Sequence, residues 1–226
     1  MLFFKDSLLS FPLPKTDGIP GSQFKLGTDN TGTIEYNLNK HGYRTPEFES
    51  IDWTKSLVCF GCSVTLGIGV DEKNSWPTKL GEFLKISIVN LGQGGVGIDY
   101  IVAQLVFLLN QGYYPKKIAV VWPAETRIYY WGEGSKEIQE RDDLKNFFCQ
   151  NDIHMLRNAQ INITAFNQLS KHIPLVEMTW SNFLHLNLKI SKWRKVDLGT
   201  DKIHPGPKSH LLAAEYMRDQ FLSLNN

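Results

Sequence analysis

From residue 56 onward, short apolar, β-branched runs alternate with helix-length amphipathic segments, and that alternation constrains the fold more than any other feature. The runs at 56–61, 86–90, 117–122 and 174–179 are almost continuously apolar, the pattern of strands buried on both faces of a parallel sheet. Between the first two, Ser75-Trp76-Pro77 opens a helix, with Ser75 as its N-cap and a proline in its first turn, that reaches about residue 85. A second helix is predicted over 99–110, with Ile101, Ala103, Leu105, Val106 and Leu109 on it and Gly112 stopping it. Residues 141–171 hold one or two more. The last helix, 207–224, carries a broad apolar stripe of Leu211, Leu212, Ala214, Met217, Phe221 and Leu224. Strands alternating with helices imply right-handed βαβ units, and so an α/β fold: a three-layer α/β/α sandwich on a doubly wound parallel sheet. Ligands of such sheets bind outside the carboxyl ends of the strands. The loops starting at 61, 91, 123 and 180, and the return near 198–206, are therefore where a site belongs.

The 226 residues suit a single structural domain, with 1–50 an N-terminal extension of short strands packing on the core and 51–226 the α/β domain proper. Within the extension, 10–32 is rich in Pro, Gly, Ser, Thr and Asp and reads as irregular chain, followed by a short strand or hairpin around 33–36. Lys and Arg number 24 against 23 Asp and Glu, a net charge of +1, so no overall field points to nucleic acid or to a membrane surface. No run approaches the roughly 20 apolar residues of a membrane span. The N-terminus is interrupted by Lys5 and Asp6 and lacks a small-residue cleavage site, so the expectation is a cytoplasmic or otherwise soluble protein without a signal peptide. Cys59 and Cys62 form a C-x-x-C, but Cys59 falls inside a strand and Cys149 stands alone, so neither a metal nor a redox role is expected.

Two segments carry chemistry. The loop after the first strand reads Phe60-Gly61-Cys62-Ser63-Val64-Thr65-Leu66-Gly67-Ile68-Gly69. A serine on a glycine-flanked strand-to-helix turn can offer both its hydroxyl and its own backbone N–H to one bound atom, as an acyl-transfer nucleophile must. Far downstream comes Gly199-Thr200-Asp201-Lys202-Ile203-His204-Pro205. An aspartate three residues before a histidine in a tight turn can hold one ring nitrogen and leave the other for the serine. Ser63, His204 and Asp201 are thus candidate nucleophile, base and orienting carboxylate. Phosphate-binding glycine motifs are absent, which weakens a nucleotide- or flavin-binding reading of the same sheet.

These segments resemble the blocks of the SGNH (GDSL-like) hydrolases. Cys62-Ser63 with Thr65, Gly67 and Gly69 is similar to the first block, Asp201–His204–Pro205 to the last, and Asn90-Leu91-Gly92-Gln93-Gly94-Gly95 to the second. Asn37 to Arg44, N-x-x-x-x-G-Y-R, is similar to the family's lead-in. The resemblance implies a flavodoxin-like sheet order and a serine esterase that needs no cofactor and no metal. Its oxyanion would be held by the backbone N–H groups of Ser63 and Gly95, and its substrate would be a small-molecule or carbohydrate ester, with acetyl as a candidate acyl group.

Two positions depart from the pattern. Cys62 stands where the family has aspartate, a position the resemblance makes structural. Ala124 aligns with the third-block asparagine whose side chain completes the oxyanion hole, a loss worth about 100- to 1,000-fold in rate. Thr126, Arg127 and Asn182 are candidate replacements, and Arg127 either binds an anionic substrate group or pairs with Glu125, the pairing being the favoured expectation. Tyr130 and the segment 180–185 are candidate pocket walls. The rival reading is an SGNH-fold binding or structural protein that has lost catalysis.

Overall fold

The computed structural model describes residues 34–127 and 153–224, with the backbone alone at 23–25 and 152. Strands β1 (Gln23–Lys25) and β2 (Glu35–Asn37) form an antiparallel pair with Phe24 opposite Tyr36. β1 lies inside the stretch expected to be irregular; a three-residue strand among turn formers leaves no periodic signal.

The main sheet has five parallel strands: β3 (Ser56–Gly61), β4 (Ser87–Asn90), β5 (Lys117–Trp122), β6 (Leu175–Thr179) and β7 (Ser191–Lys192). Their spatial order is β4-β3-β5-β6-β7, which is the flavodoxin-like doubly wound order. Four of these strands follow the predicted apolar runs to within a residue. β7 was not anticipated, because two residues are too few to show alternation.

Successive residues of the central strands point to opposite faces, as strand geometry requires. Val58 and Phe60 of β3 and Ile118, Val120 and Trp122 of β5 enter one apolar cluster, while Leu57, Cys59, Ala119 and Val121 enter the other. The first cluster is covered by α3 (Ile98–Asn110) and α4 (Asp152–Leu169). Phe166 of α4 meets Phe60 and Trp122 edge-on, with ring centroids 5.4 and 5.0 Å apart. The second is covered by α2 (Trp76–Leu84) and the last helix, which as α6 spans Pro207–Ser223. The single turn α1 (Ser63–Leu66) follows β3, and α5 (Asn182–Leu188) follows β6. Burial forces the Cys59 thiol well above its ordinary pKa, so it behaves as a small core hydrophobe. No helix among the described residues is long and apolar enough to cross a membrane.

Two helix expectations need correction. On α6 the buried face is His210, Ala213, Ala214, Met217 and Phe221, whereas Leu211, Leu212 and Leu224 are exposed. Positions 210, 214, 217 and 221 make one row at helical spacing, and 211 and 212 lie roughly 100° and 200° away from it. Ser75 occupies the N-cap of α2, but its hydroxyl bonds the Thr78 hydroxyl rather than a backbone N–H. The Trp76 N–H, left over at the helix start, instead donates to Nδ1 of His210 at 3.0 Å. A histidine therefore joins the α6 face because it caps a neighbouring helix.

Burial lowers the pKa of His210 to about 4 from its ordinary 6.5, because the charged ring would be stranded among apolar groups. Since the folded value lies below the unfolded one, His210 gives full stability above about pH 6.5 and loses it as pH falls toward 4, in total about 3 kcal/mol. His210→Asn, which keeps an acceptor near Nδ1, should flatten the fall in urea midpoint between pH 6.5 and 4 relative to wild type. Parallel curves would show that His210 does not report on this window.

Candidate active site

The loop that carries Ser63 is fixed by close approach and by buried polar contacts. Gly92, in the loop after β4, passes so near α1 that a Cβ there would lie 2.2 Å from the Leu66 nitrogen. Asn90 ties the two loops together: its amide donates to the Thr65 carbonyl at 2.9 Å and its carbonyl accepts from the Gly92 N–H at 2.9 Å. Beneath them lies Arg44, whose side chain is buried. Its Nη1 reaches the carbonyls of Leu66, Gly67 and Val70 at 3.2–3.3 Å, its Nη2 reaches that of Glu35, and its guanidinium stacks over the Tyr36 ring. Burial lowers the pKa of Arg44, with Glu72 at 3.8 Å opposing the shift. Tyr43, its neighbour in the N-x-x-x-x-G-Y-R segment, bonds Tyr100 and Gln104 through its hydroxyl, and Gln104 also holds the Leu91 carbonyl.

The second half of the site is the loop between β7 and α6. Asp197 closes its base by accepting from the backbone N–H groups of Lys208 and Ser209, and from the Ser209 hydroxyl at 2.6 Å. An isolated bridge pairs Leu198 with Pro205, and the Gly199 N–H donates to the His204 carbonyl. The loop docks on Gly69, whose carbonyl accepts from the Thr200 N–H at 2.9 Å and whose own N–H donates to the Tyr36 hydroxyl at 2.8 Å. Gly69 has φ +81°, and a Cβ there would stand 2.9 Å from Oδ1 of Asp201, so side chains are excluded on both conformational and steric grounds.

This docking brings Ser63, His204 and Asp201 together. The Ser63 hydroxyl lies 3.0 Å from Nε2 of His204, and Nδ1 of His204 lies 2.5 Å from Oδ2 of Asp201. The other oxygen, Oδ1, accepts from the backbone N–H groups of Ile203 and His204, each at 3.0 Å. Burial raises the Asp201 pKa, but the hydrogen bonds from the His204 ring and these two amides outweigh it, and the carboxyl is held below its usual range. An ionised carboxylate on Nδ1 selects the tautomer that leaves Nε2 as an acceptor for the serine proton.

A cleft of about 610 Å³ opens on Ser63 and His204 and is walled by Arg127, Trp180 and Trp193. Each part follows the carboxyl end of a strand: Ser63 after β3, Arg127 after β5, Trp180 after β6, Trp193 after β7. Gly95 lies in the loop after β4 with φ +74°. Of the other candidates, Thr126 and Asn182 do not line the cleft, and Tyr130 lies outside the described residues. Ala124 presents only a methyl group, and its carbonyl accepts from the Arg127 N–H at 3.1 Å. The expected Arg127–Glu125 pair is not formed. Glu125 instead accepts from the Ser181 hydroxyl at 2.5 Å, drawn to the start of α5, and Arg127 packs its guanidinium over Trp180. The segment 192–196 also lines the cleft and was missed, although Lys192-Trp193-Arg194-Lys195 is a visible basic run just before the Asp201 loop.

No protein-family model matches the chain, and no curated protein does. Solved structures do resemble it. A carbohydrate esterase family 2 enzyme with a carbohydrate-binding domain, from Corynascus thermopiles (Myceliophthora fergusii), aligns over 84% of this chain and 71% of its own at 12% identity and TM-score 0.51. An acetyl xylan esterase from Butyrivibrio proteoclasticus aligns over 76% of this chain and 64% of its own, at 16% identity and TM-score 0.49. A protein described as lipolytic, of the G-D-S-L family, from Desulfitobacterium hafniense DCB-2 aligns over 74% and 99%, at 16% identity and TM-score 0.48. At these identities the likeness concerns the fold.

Arg44 provides a test of how the Ser63 loop is held. Arg44→Met fills similar volume but removes the guanidinium donors from the carbonyls of residues 66, 67 and 70, of which only that of Gly67 keeps a backbone donor among the described residues, the Val70 N–H, and should lower unfolding free energy by about 3 kcal/mol or more. Urea denaturation measures it, and a loss under about 1 kcal/mol would mean that those carbonyls find other partners.

Proposed function

We propose that this chain, whose fold is that of the SGNH hydrolases, is a serine esterase with Ser63 as nucleophile, His204 as general base and Asp201 as the carboxylate that orients it. The observation that carries this reading is the unbroken relay from the Ser63 hydroxyl through both ring nitrogens of His204 to Asp201. It opens on a cleft at the strand ends, where doubly wound sheets bind ligands.

The chemistry is acyl transfer. His204 takes the Ser63 proton as the oxygen attacks the ester carbonyl, and the imidazolium so formed is stabilised by ionised Asp201. Backbone N–H groups of Ser63 and Gly95 hold the oxyanion. Collapse of the tetrahedral intermediate expels the alcohol with the proton from His204 and leaves an acyl-enzyme. Water, deprotonated by His204, then releases the acid and restores the serine. The substrate class in this reading is a small acyl group such as acetyl, on a carbohydrate or other small alcohol, and the carbohydrate esterase among the structural neighbours supports the carbohydrate part of it.

One observation favours a second reading, a binding protein of the same fold without catalysis: Ala124 supplies no side-chain donor where an oxyanion asparagine is expected. Hydrolysis of p-nitrophenyl acetate separates the two. The wild type should exceed background, with Ser63→Ala and His204→Ala each lowering kcat by about a thousand-fold or more, or down to background, and Asp201→Asn by up to about 10,000-fold. A wild type no faster than Ser63→Ala would sink the esterase reading and leave the binding protein.

A further inference from the structure

The cleft beside Ser63 carries an uneven charge. Arg127, Lys192, Arg194 and Lys195 all line it, and no aspartate or glutamate does among the described residues. The chain as a whole has a net charge of only +1, so this positive surface is local to the site. Lys192, Arg194 and Lys195 are exposed, and none of them forms an ion pair among the described residues; Lys195 donates only to the Ile203 carbonyl, at 3.3 Å. Individually such solvated cations contribute little, but converging on one concave surface they raise the local concentration of anions.

Arg127 differs from these three. Its Nη1 is buried and has no hydrogen-bond partner among the described residues. Glu125, two residues away, is engaged by Ser181. The guanidinium lies over the Trp180 ring at 5.1 Å, a contact that uses the face of the group and not its N–H donors. A buried cationic donor without an acceptor is costly, so this group calls for an acceptor that the described residues do not supply. Planar guanidinium donors match carboxylate and phosphate oxygens better than any neutral acceptor.

We propose that the cleft selects esters bearing an anionic substituent, a carboxylate or a phosphate, with Arg127 as the anchoring donor and Lys192, Arg194 and Lys195 as the surrounding field. The proposal rests on the esterase reading of the same site for its substrate, but not for the anion site itself. The competing role for Arg127 is as an oxyanion donor in place of the missing asparagine. The two roles differ in kinetics. An oxyanion donor acts only in the transition state and lowers kcat for every ester alike, whereas an anchor for a substituent acts chiefly on KM and only for charged esters.

The experiment compares matched esters with wild type and Arg127→Gln at low and high salt. On the alcohol side the pair is p-acetoxybenzoate and the neutral p-acetoxybenzamide, and p-acetoxyphenyl phosphate separates phosphate from carboxylate. On the acyl side the pair is mono-p-nitrophenyl glutarate and p-nitrophenyl pentanoate. A charged ester of at least one pair should show kcat/KM about ten-fold or more above its neutral partner, and the advantage should shrink with salt. Arg127→Gln should cut that ratio about ten-fold, mostly through KM. Equal kcat/KM within both pairs, with the phosphate no better, overturns the proposal while the esterase reading stands. An equal fall in kcat for charged and neutral esters in Arg127→Gln overturns it in favour of the oxyanion role.

A second measurement does not depend on turnover. Ser63→Ala protein titrated calorimetrically with p-acetoxybenzoate, p-acetoxyphenyl phosphate and p-acetoxybenzamide should bind an anion measurably tighter than the amide. Adding Arg127→Gln should weaken that binding about ten-fold. If no ester is hydrolysed but this difference appears, the anion site stands and the esterase reading falls. If neither anion binds better than the amide and none is preferred in hydrolysis, the anion site is refuted.

Discussion

Short loops at the end of a parallel sheet turn their carbonyls inward wherever glycines let the chain curl, and those carbonyls need donors. Around Ser63 one guanidinium serves several of them: Arg44 gathers the carbonyls of Leu66, Gly67 and Val70 and, from the other side, that of Glu35. The arrangement holds a charge in a nearly water-free place, which is tolerable because its hydrogen bonds go to carbonyl dipoles and Glu72 lies near its Nε. It also explains why residues near the chain's start bear on a site formed by later ones. Tyr36, stacked under Arg44, only accepts the Gly69 N–H on its hydroxyl oxygen, yet Gly69 is the surface on which the Asp201 loop docks.

The topology supplies the rest of the placement. β3 and β5 are adjacent, while the chain runs outward from β3 to β4 before returning, so the loops on either side of this reversal diverge and leave a crevice. Ser63 leaves β3 at that crevice and Arg127 leaves β5 beside it. The site is thus an outcome of strand order, and its chemistry an outcome of which residues occupy the loops.

Much of this was legible in the sequence because the signals were local. The runs at 56–61 and 117–122 are apolar throughout, since both faces of a central strand are covered, and their bounds are those of β3 and β5. Ser63 and the Asp201–His204 turn were legible as short motifs, and the structure places them within hydrogen-bonding distance. What escaped notice depended on partners distant in sequence. His210 sits on a buried helix face because Trp76, far upstream, needs an acceptor, and no pattern on α6 announces that. Gln104 likewise interrupts the apolar face of α3 to reach the Tyr43 hydroxyl and the Leu91 carbonyl. The basic run at 192–195 was visible, but a charge run ordinarily marks a solvated surface; only the path of the chain after β7 turns it toward Ser63.

The relay joins residues 141 positions apart, and its geometry must survive the freedom of the loop that carries His204. That loop has few apolar anchors, for Leu198 and Ile203 are exposed. Its order comes instead from closure at both ends. Asp197 accepts from the first turn of α6 at one end, and Gly69 meets Thr200 at the other. Between them Asp201 spends one oxygen on two backbone N–H groups of its own turn and the other on the ring. The carboxylate is therefore a structural centre of the loop as well as the partner of His204. Replacing it removes the acceptor of two backbone N–H groups along with the ring contact, so the effect of an Asp201 variant mixes orientation of the imidazole with loosening of the loop. Asparagine is the informative substitution, because its carbonyl oxygen can keep the two amide bonds while its neutral side chain gives up the charge that stabilises an imidazolium.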